Sequence, residues 1–412
     1  MHHEISLIST IAVGLVYAAI GGFLANRLRL PPLVGYLAAG VAVGPFTPGF
    51  VADAKLAPQL AEVGVILLMF GVGMHFSIRD LLAVRNIAVP GALAQITVAV
   101  LLTWGLTKTW GWALGPSLVL GLALSVASTV VLLRGLESEG ILKSKSGQIA
   151  VGWLIVEDLV VVMILVLLPV FAATIGEGNV AGEPAGQGSG NGQLLAALGI
   201  AIVKFGAFVA LMQLVGARIL RWFLERVAAT NSRELFTVAV VAAAIGIGFA
   251  ASEMFGLSFA LGAFLAGVIV GESDHSHRAE TELQPLQDAF NALFFVAVGM
   301  LFDPGILLRE PLQVLTVIGI ILLGKSAAAF LLVWAFRYGV PTAVIVAASL
   351  AQIGELSFIL AKLGLALRLL APEGLSLIVA GALLSITLNS FALRLAIRIS
   401  SAREEPAELE TS

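Results

Sequence analysis

Glu157 and Asp158 stand side by side in GWLIVEDLVVVMILVLL (152–168), a stretch with no other charge and about as long as a bilayer is thick. An ionised group in hydrocarbon costs at least a few kcal/mol unless it faces a partner or water. Two adjacent carboxylates are poorly explained as packing and well explained as an ion site. A carboxylate in a partly wet pocket binds a proton or a small cation, each excluding the other. That exclusion, in a structure that opens to each side in turn, is all that exchange requires. Asp158 is therefore the first candidate for the coupling residue. The structural alternative is an acid satisfied by a neighbouring helix.

Glu157 lies about 100° around the same helix, so the two acids can edge one cavity without pointing the same way. It is either a second ligand for proton or cation, or the partner of Lys325 in LLGKSAAAF, whose lone buried ammonium needs an anion. Gln352 and Glu355, one helical turn apart, form a cavity wall or second proton site, or else tie broken backbone ends together. Ser125, Ser128 and Thr129 offer hydroxyls to cap a broken helix or ligate a cation, although mid-span Ser and Thr usually bond their own helix. Lys204 is read as structural. His275 and His277 could hold a metal, but the mixed charge run around them reads better as a solvated face. No resident metal or cofactor is expected.

These residues must be held by membrane-spanning elements. Thirteen apolar runs fall near 5–25, 31–49, 56–75, 87–106, 112–134, 148–174, 193–222, 234–252, 256–272, 287–303, 312–336, 341–362 and 374–397. With the N-terminus outside, the inside loops carry sixteen Lys and Arg against five outside, the bias of an outside N-terminus and an inside C-terminus. The thirteen runs divide as six, one and six, so the second six run opposite to the first. Inverted repeats put a binding site near the midplane, where broken helices cross. SVASTVV (125–131) in the fifth run and AASLAQIGELSF (347–358) in the twelfth concentrate small and polar residues where such breaks belong. Gly267 and Gly271 fit close helix packing.

Composition narrows the class. The chain of 412 residues is 59% hydrophobic and 12% charged, with a mean hydropathy of +1.02, too little charge to dress a soluble surface. The net charge of −3 gives no reason to expect nucleic acid, and the absence of cysteine excludes disulfides, thiolate metal sites and cysteine catalysis. An intramembrane aspartyl protease would need two catalytic aspartates on separate helices, and the other deep acid is Glu355. No enzyme is expected.

The chain resembles the monovalent cation:proton antiporter superfamily, and within it the Kef-type potassium efflux branch. The resemblance runs from about residue 1 to 398 and is carried by PPLVGYLAAGVAVGP (31–45), GVILLMFGVGMHFS (64–77), ASTVVLLRGLESEG (127–140), GQIAVGWLIVEDLVVV (147–162), SFALGAFLAGVIVGES (258–273), LFFVAVGMLFD (293–303) and QIGELSFIL (352–360). It implies a homodimer in a bacterial inner membrane, a core domain sliding against a scaffold, Asp158 as the ion-binding carboxylate and Lys325 as the matching basic residue. It also implies that 272–286 meets a regulatory domain. Two departures stand out. Potassium efflux members carry glutamine where this chain has Glu157, while many electrogenic sodium:proton exchangers carry two aspartates there. The chain also ends at AREEPAELETS, without the nucleotide-binding domain usual in the branch.

The expectation is an all-α polytopic membrane protein with thirteen transmembrane helices in two inverted six-helix repeats with crossing broken helices. The first repeat spans 1–192 with a flexible outside linker at 176–193. A linking helix occupies 193–232, the second repeat 233–400, and a cytosolic tail 401–412. Its partners are lipid, monovalent cations, protons, a second copy, and a cytosolic regulatory domain or subunit. Its expected work is exchange of potassium for protons by elevator-type alternating access. The alternatives are electrogenic sodium:proton antiport and a gated cation channel.

Overall fold

Backbone N–H and C=O groups cannot stay unpaired in hydrocarbon, so a chain this apolar must pair them within helices or a closed barrel. Helices form. The computed structural model describes residues 2–28, 30–47, 56–74, 78–175, 199, 203–257 and 259–408, and every regular element among them is helical. Among the described residues, seven helices are long and apolar enough to cross a membrane: Ile8–Arg27, Val84–Thr109, Lys145–Pro169, Val203–Ala228, Arg233–Phe255, Pro311–Ala335 and Pro372–Ser400. Shorter apolar helices accompany them, among them Leu114–Ser125, Phe259–Gly271 and Val340–Ser349. The expected linker at 176–193 lies outside the described residues.

Two compact units share the chain. One takes Met1–Gly21, Gly35–Ser77 and Val162–Met300, the other Gly22–Val34, Ile78–Val161 and Leu301–Ser412. In the first, the helix Leu56–Met74 packs against Phe259–Gly271 and Ser276–Met300. A Cβ on Gly267 would run into the Phe70 carbonyl, and one on Gly271 into Met74, so the expected close packing is present at both glycines. In the same unit Arg278 lies 4.2 Å from the centroid of the Phe236 ring and donates to Glu282 at 3.0 Å. Burial raises the Glu282 carboxyl, but hydrogen bonds from Thr237 and Arg278, with the charges of Arg278 and Arg233, together outweigh it and hold the group below its ordinary value.

The second unit holds both broken helices. Around them lies a buried apolar layer that includes Ile87, Leu132, Ile149, Trp153, Val333 and Val346. It packs the helices Ile78–Thr109, Lys145–Ile175 and Pro311–Ala335 around the breaks.

The stretch 272–286 is helical from Ser276, a charged run whose Ala279 and Leu283 form a buried face. The last helix runs Pro372–Glu408, so residues 401–408 of the expected tail are helical.

Candidate functional site

The fifth run breaks where expected. Leu114–Ser125 stops at Val126, which turns extended at φ −94°, ψ 129°. Thr129–Ser138 starts behind Ser128, whose hydroxyl accepts the Val131 N–H at 3.3 Å as an N-cap. In the twelfth run Val340–Ser349 ends, and Glu355–Ala366 begins behind Gly354. Such ends leave backbone groups without intrahelical partners, and buried ones must find others.

They find each other. The Gly354 N–H donates to the Val126 carbonyl at 3.1 Å. The Gln352 side chain grips Ser128 twice, accepting from its N–H at 3.3 Å and donating to its carbonyl at 3.1 Å. Ser357 donates to the Ala123 carbonyl at 2.6 Å, and the Asn389 amide to that of Ala348 at 2.6 Å. Gly354 is required by proximity: a Cβ there would lie 2.6 Å from the Ala127 oxygen and from the Ser128 Cα.

The candidate side chains converge on this crossing. Asp158 is buried, and its Oδ2 accepts from the Thr129 hydroxyl at 3.0 Å. Its Oδ1 is equally buried and has no hydrogen-bond partner among the described residues. Its charged neighbours are Glu355 and Glu157. Glu355 takes the Ser128 hydroxyl at 2.9 Å and opens its half-helix, where the N-terminal dipole favours an acid.

Glu157 is fully buried, accepting from the Ala127 N–H at 3.0 Å and from the Gln95 amide. Lys325 is the cation that acts on it electrostatically, but no Glu157–Lys325 ion pair within 4.0 Å occurs among the described residues. The ammonium instead donates to the Gln352 main-chain carbonyl at 2.8 Å. A π-helical stretch, Ile320–Lys325, delivers it there.

The three hydroxyls have separate fates. Ser125 bonds its own helix through the Leu122 carbonyl, Ser128 caps and bridges, and Thr129 holds the carboxylate. Lys204 is exposed. His275 stands edge-on to Phe236, His277 lies 4.0 Å from Glu280, and no described group of three metal-ligating side chains occurs.

Gln95 is the site residue that sequence reasoning missed. It is wholly buried in Ile78–Thr109, and its amide nitrogen serves Glu157 and, at 3.5 Å, the Ser125 carbonyl. Its own oxygen has no hydrogen-bond partner among the described residues.

A family model described as "Sodium/hydrogen exchanger, transmembrane" matches residues 15–398. The chain belongs to this sodium/hydrogen exchanger family. That places it among transporters rather than enzymes. Over 389 residues, 94% of this exchanger chain and 68% of the relative, it is 59% identical to the Escherichia coli protein named cation/proton antiporter YbaL. It is 32% identical over 359 residues to the Arabidopsis thaliana protein named K(+) efflux antiporter 4, covering 87% of this chain and 58% of that one. The exchanger also shares its fold with the sodium proton antiporter MjNhaP1 from Methanocaldococcus jannaschii, at a TM-score of 0.73 and 17% identity. That match covers 97% of this chain and 100% of the other.

Proposed function

We propose that this exchanger swaps a monovalent cation, potassium first, for protons by alternating access, with Asp158 as the site that cation and proton share. One observation carries the reading: a buried carboxylate with one oxygen fixed by Thr129 and the other without a hydrogen-bond partner, at the crossing of two broken helices. A proton or a desolvated cation can complete that oxygen, but not both at once. Thr129 holds the carboxylate in place, and Glu355 and Glu157 are the acids that act on it electrostatically. The crossing, bonded between its two breaks, carries the site as a body, in an elevator-type movement of the unit that contains it. Family names supply the case for potassium, through the potassium efflux relative. The chain works as a homodimer in a bacterial inner membrane, with its N-terminus outside, its C-terminus in the cytosol and a cytosolic regulatory partner.

Electrogenic sodium:proton exchange is the second reading, and the two adjacent acids favour it. If Glu157 also takes up a proton while Lys325 acts on it, two protons exchange for each cation and one net charge crosses per cycle.

The test is proton flux in sealed proteoliposomes with a preset pH gradient, adding potassium, sodium or lithium in turn. Wild type is expected to dissipate the gradient in response to one cation above the others, Asp158→Asn to lose this outright, and Lys325→Ala to keep part of it. Normal exchange by the Asp158→Asn protein overturns the site. Fast cation leakage without proton movement makes the protein a channel.

A further inference from the structure

Away from the ion site, a cavity of about 440 Å³ opens at the turn between Pro311–Ala335 and Val340–Ser349, lined by Trp334, Ala335, Arg337, Gly339 and Val340. Its volume falls within the range of sites that hold small molecules. Three features give it a chemical character.

The first is positive charge. Arg337 is exposed, and among the described residues no carboxylate pairs with its guanidinium. Beside it the Lys145 ammonium lies 5.0 Å from the centroid of the Tyr338 ring, so the connection before the helix Lys145–Ile175 adjoins this turn. Lys145, at the start of its helix, and Arg337, next to Tyr338 in the chain, thus stand at the same end of the unit.

The second is aromatic. Trp334 of the lining and Phe336 beside it in the chain are 56% and 43% exposed, side chains of the kind that settle at the level of lipid headgroups.

The third is an approach path. Leu323, Ala327, Leu331 and Trp334 succeed one another at helical spacing along one exposed, apolar face that leads to the cavity. A free phosphate ion has no use for such a face, whereas an acyl chain does.

We propose that this cavity binds an anionic phospholipid, its phosphate between Arg337 and Lys145 and its acyl chains along the Leu323–Trp334 face. Basic pockets between membrane helices on the cytoplasmic side bind anionic headgroups in this manner. Both connections also belong to the basic side in the charge count of the sequence. The site is separate from the ion site, so the two readings stand or fall independently.

Native mass spectrometry of the whole purified protein, exchanged into mixed micelles of phosphatidylglycerol and phosphatidylcholine, tests the assignment. Wild type should retain phosphatidylglycerol in clear preference, and Arg337→Gln and Lys145→Gln should each lower that preference by roughly fivefold. Arg337→Lys should keep most of it. Cation-driven proton flux and thermal unfolding of each variant establish that it is folded. Should Arg337→Gln fail to fold, Lys145→Gln decides by the same ratio. An unchanged lipid ratio in the neutralised variants overturns the proposal. So does displacement of the lipid by millimolar inorganic phosphate, which would make the cavity a site for a free anion.

Discussion

At the scale of single residues, buried polar atoms and their partners decide what the site can do. Asp158 and Glu157 were legible because two acids in an apolar run have few explanations, and the fold brings both to one crossing. Lys325 was legible as a buried cation near the crossing but not in its bonding. An inventory of side chains offers an ammonium only carboxylates, whereas a broken helix also frees carbonyls, and the Gln352 carbonyl took the role. Gln95 escaped notice because a lone amide in GALAQITV carries no charge, though burying it obeys the same cost. It supplies one of the hydrogen bonds to a carboxylate with no exposure at all. Gln95→Leu, close in size, should therefore lower the free energy of unfolding in detergent by about 1–3 kcal/mol, the cost of depriving a buried acceptor. Denaturant titration reads this, and an unchanged midpoint would mean that the amide contributes no bond of consequence.

At the scale of elements, the breaks were the most legible feature. Small and polar residues mid-span mark where a membrane helix can unwind, and both clusters did so. The start of Ser276–Met300 was hidden for the opposite reason: SHRAETELQP looks like solvated loop, yet an exposed helix face tolerates such charge. Glycine gives the crossing its sharpest test. Gly354→Ala should destabilise the protein by about 1–3 kcal/mol and abolish cation-driven proton flux, since the added methyl meets backbone that cannot rotate away. Gly319→Ala is the control. It lies inside a helix with nothing within 4 Å of the new methyl, and should stabilise by about 0.5–1 kcal/mol with flux intact. Equal behaviour of the two variants, in thermal unfolding and flux, would remove the close approach from the argument.

At the scale of the whole molecule, the sequence divides one way and the packing another. Inverted repeats are read along the chain, but each compact unit draws segments from both halves, and no local pattern announces which segments will share a core. Sidedness is easier to check. The Lys145–Tyr338 contact puts the connections around Lys143 and Arg337 at one end of their unit, and Thr109 closes the span that begins at Val84. The native chain has no cysteine to interfere. In right-side-out vesicles, an impermeant maleimide should label Thr109→Cys at once and Lys143→Cys only after permeabilisation. The reverse order would turn the proposed orientation over.

The double grip of Gln352 on Ser128 bears on selectivity as well as on architecture. An ion is chosen by the spacing and orientation of the oxygens that replace its water, and here the backbone behind those oxygens is bonded across both breaks. A site so braced has little freedom to adopt one geometry facing the cytosol and another facing outward. Under the proposed alternating access, its preference among alkali cations is then a single property of the crossing, the same from either face, and the direction of net transport is left to the gradients alone.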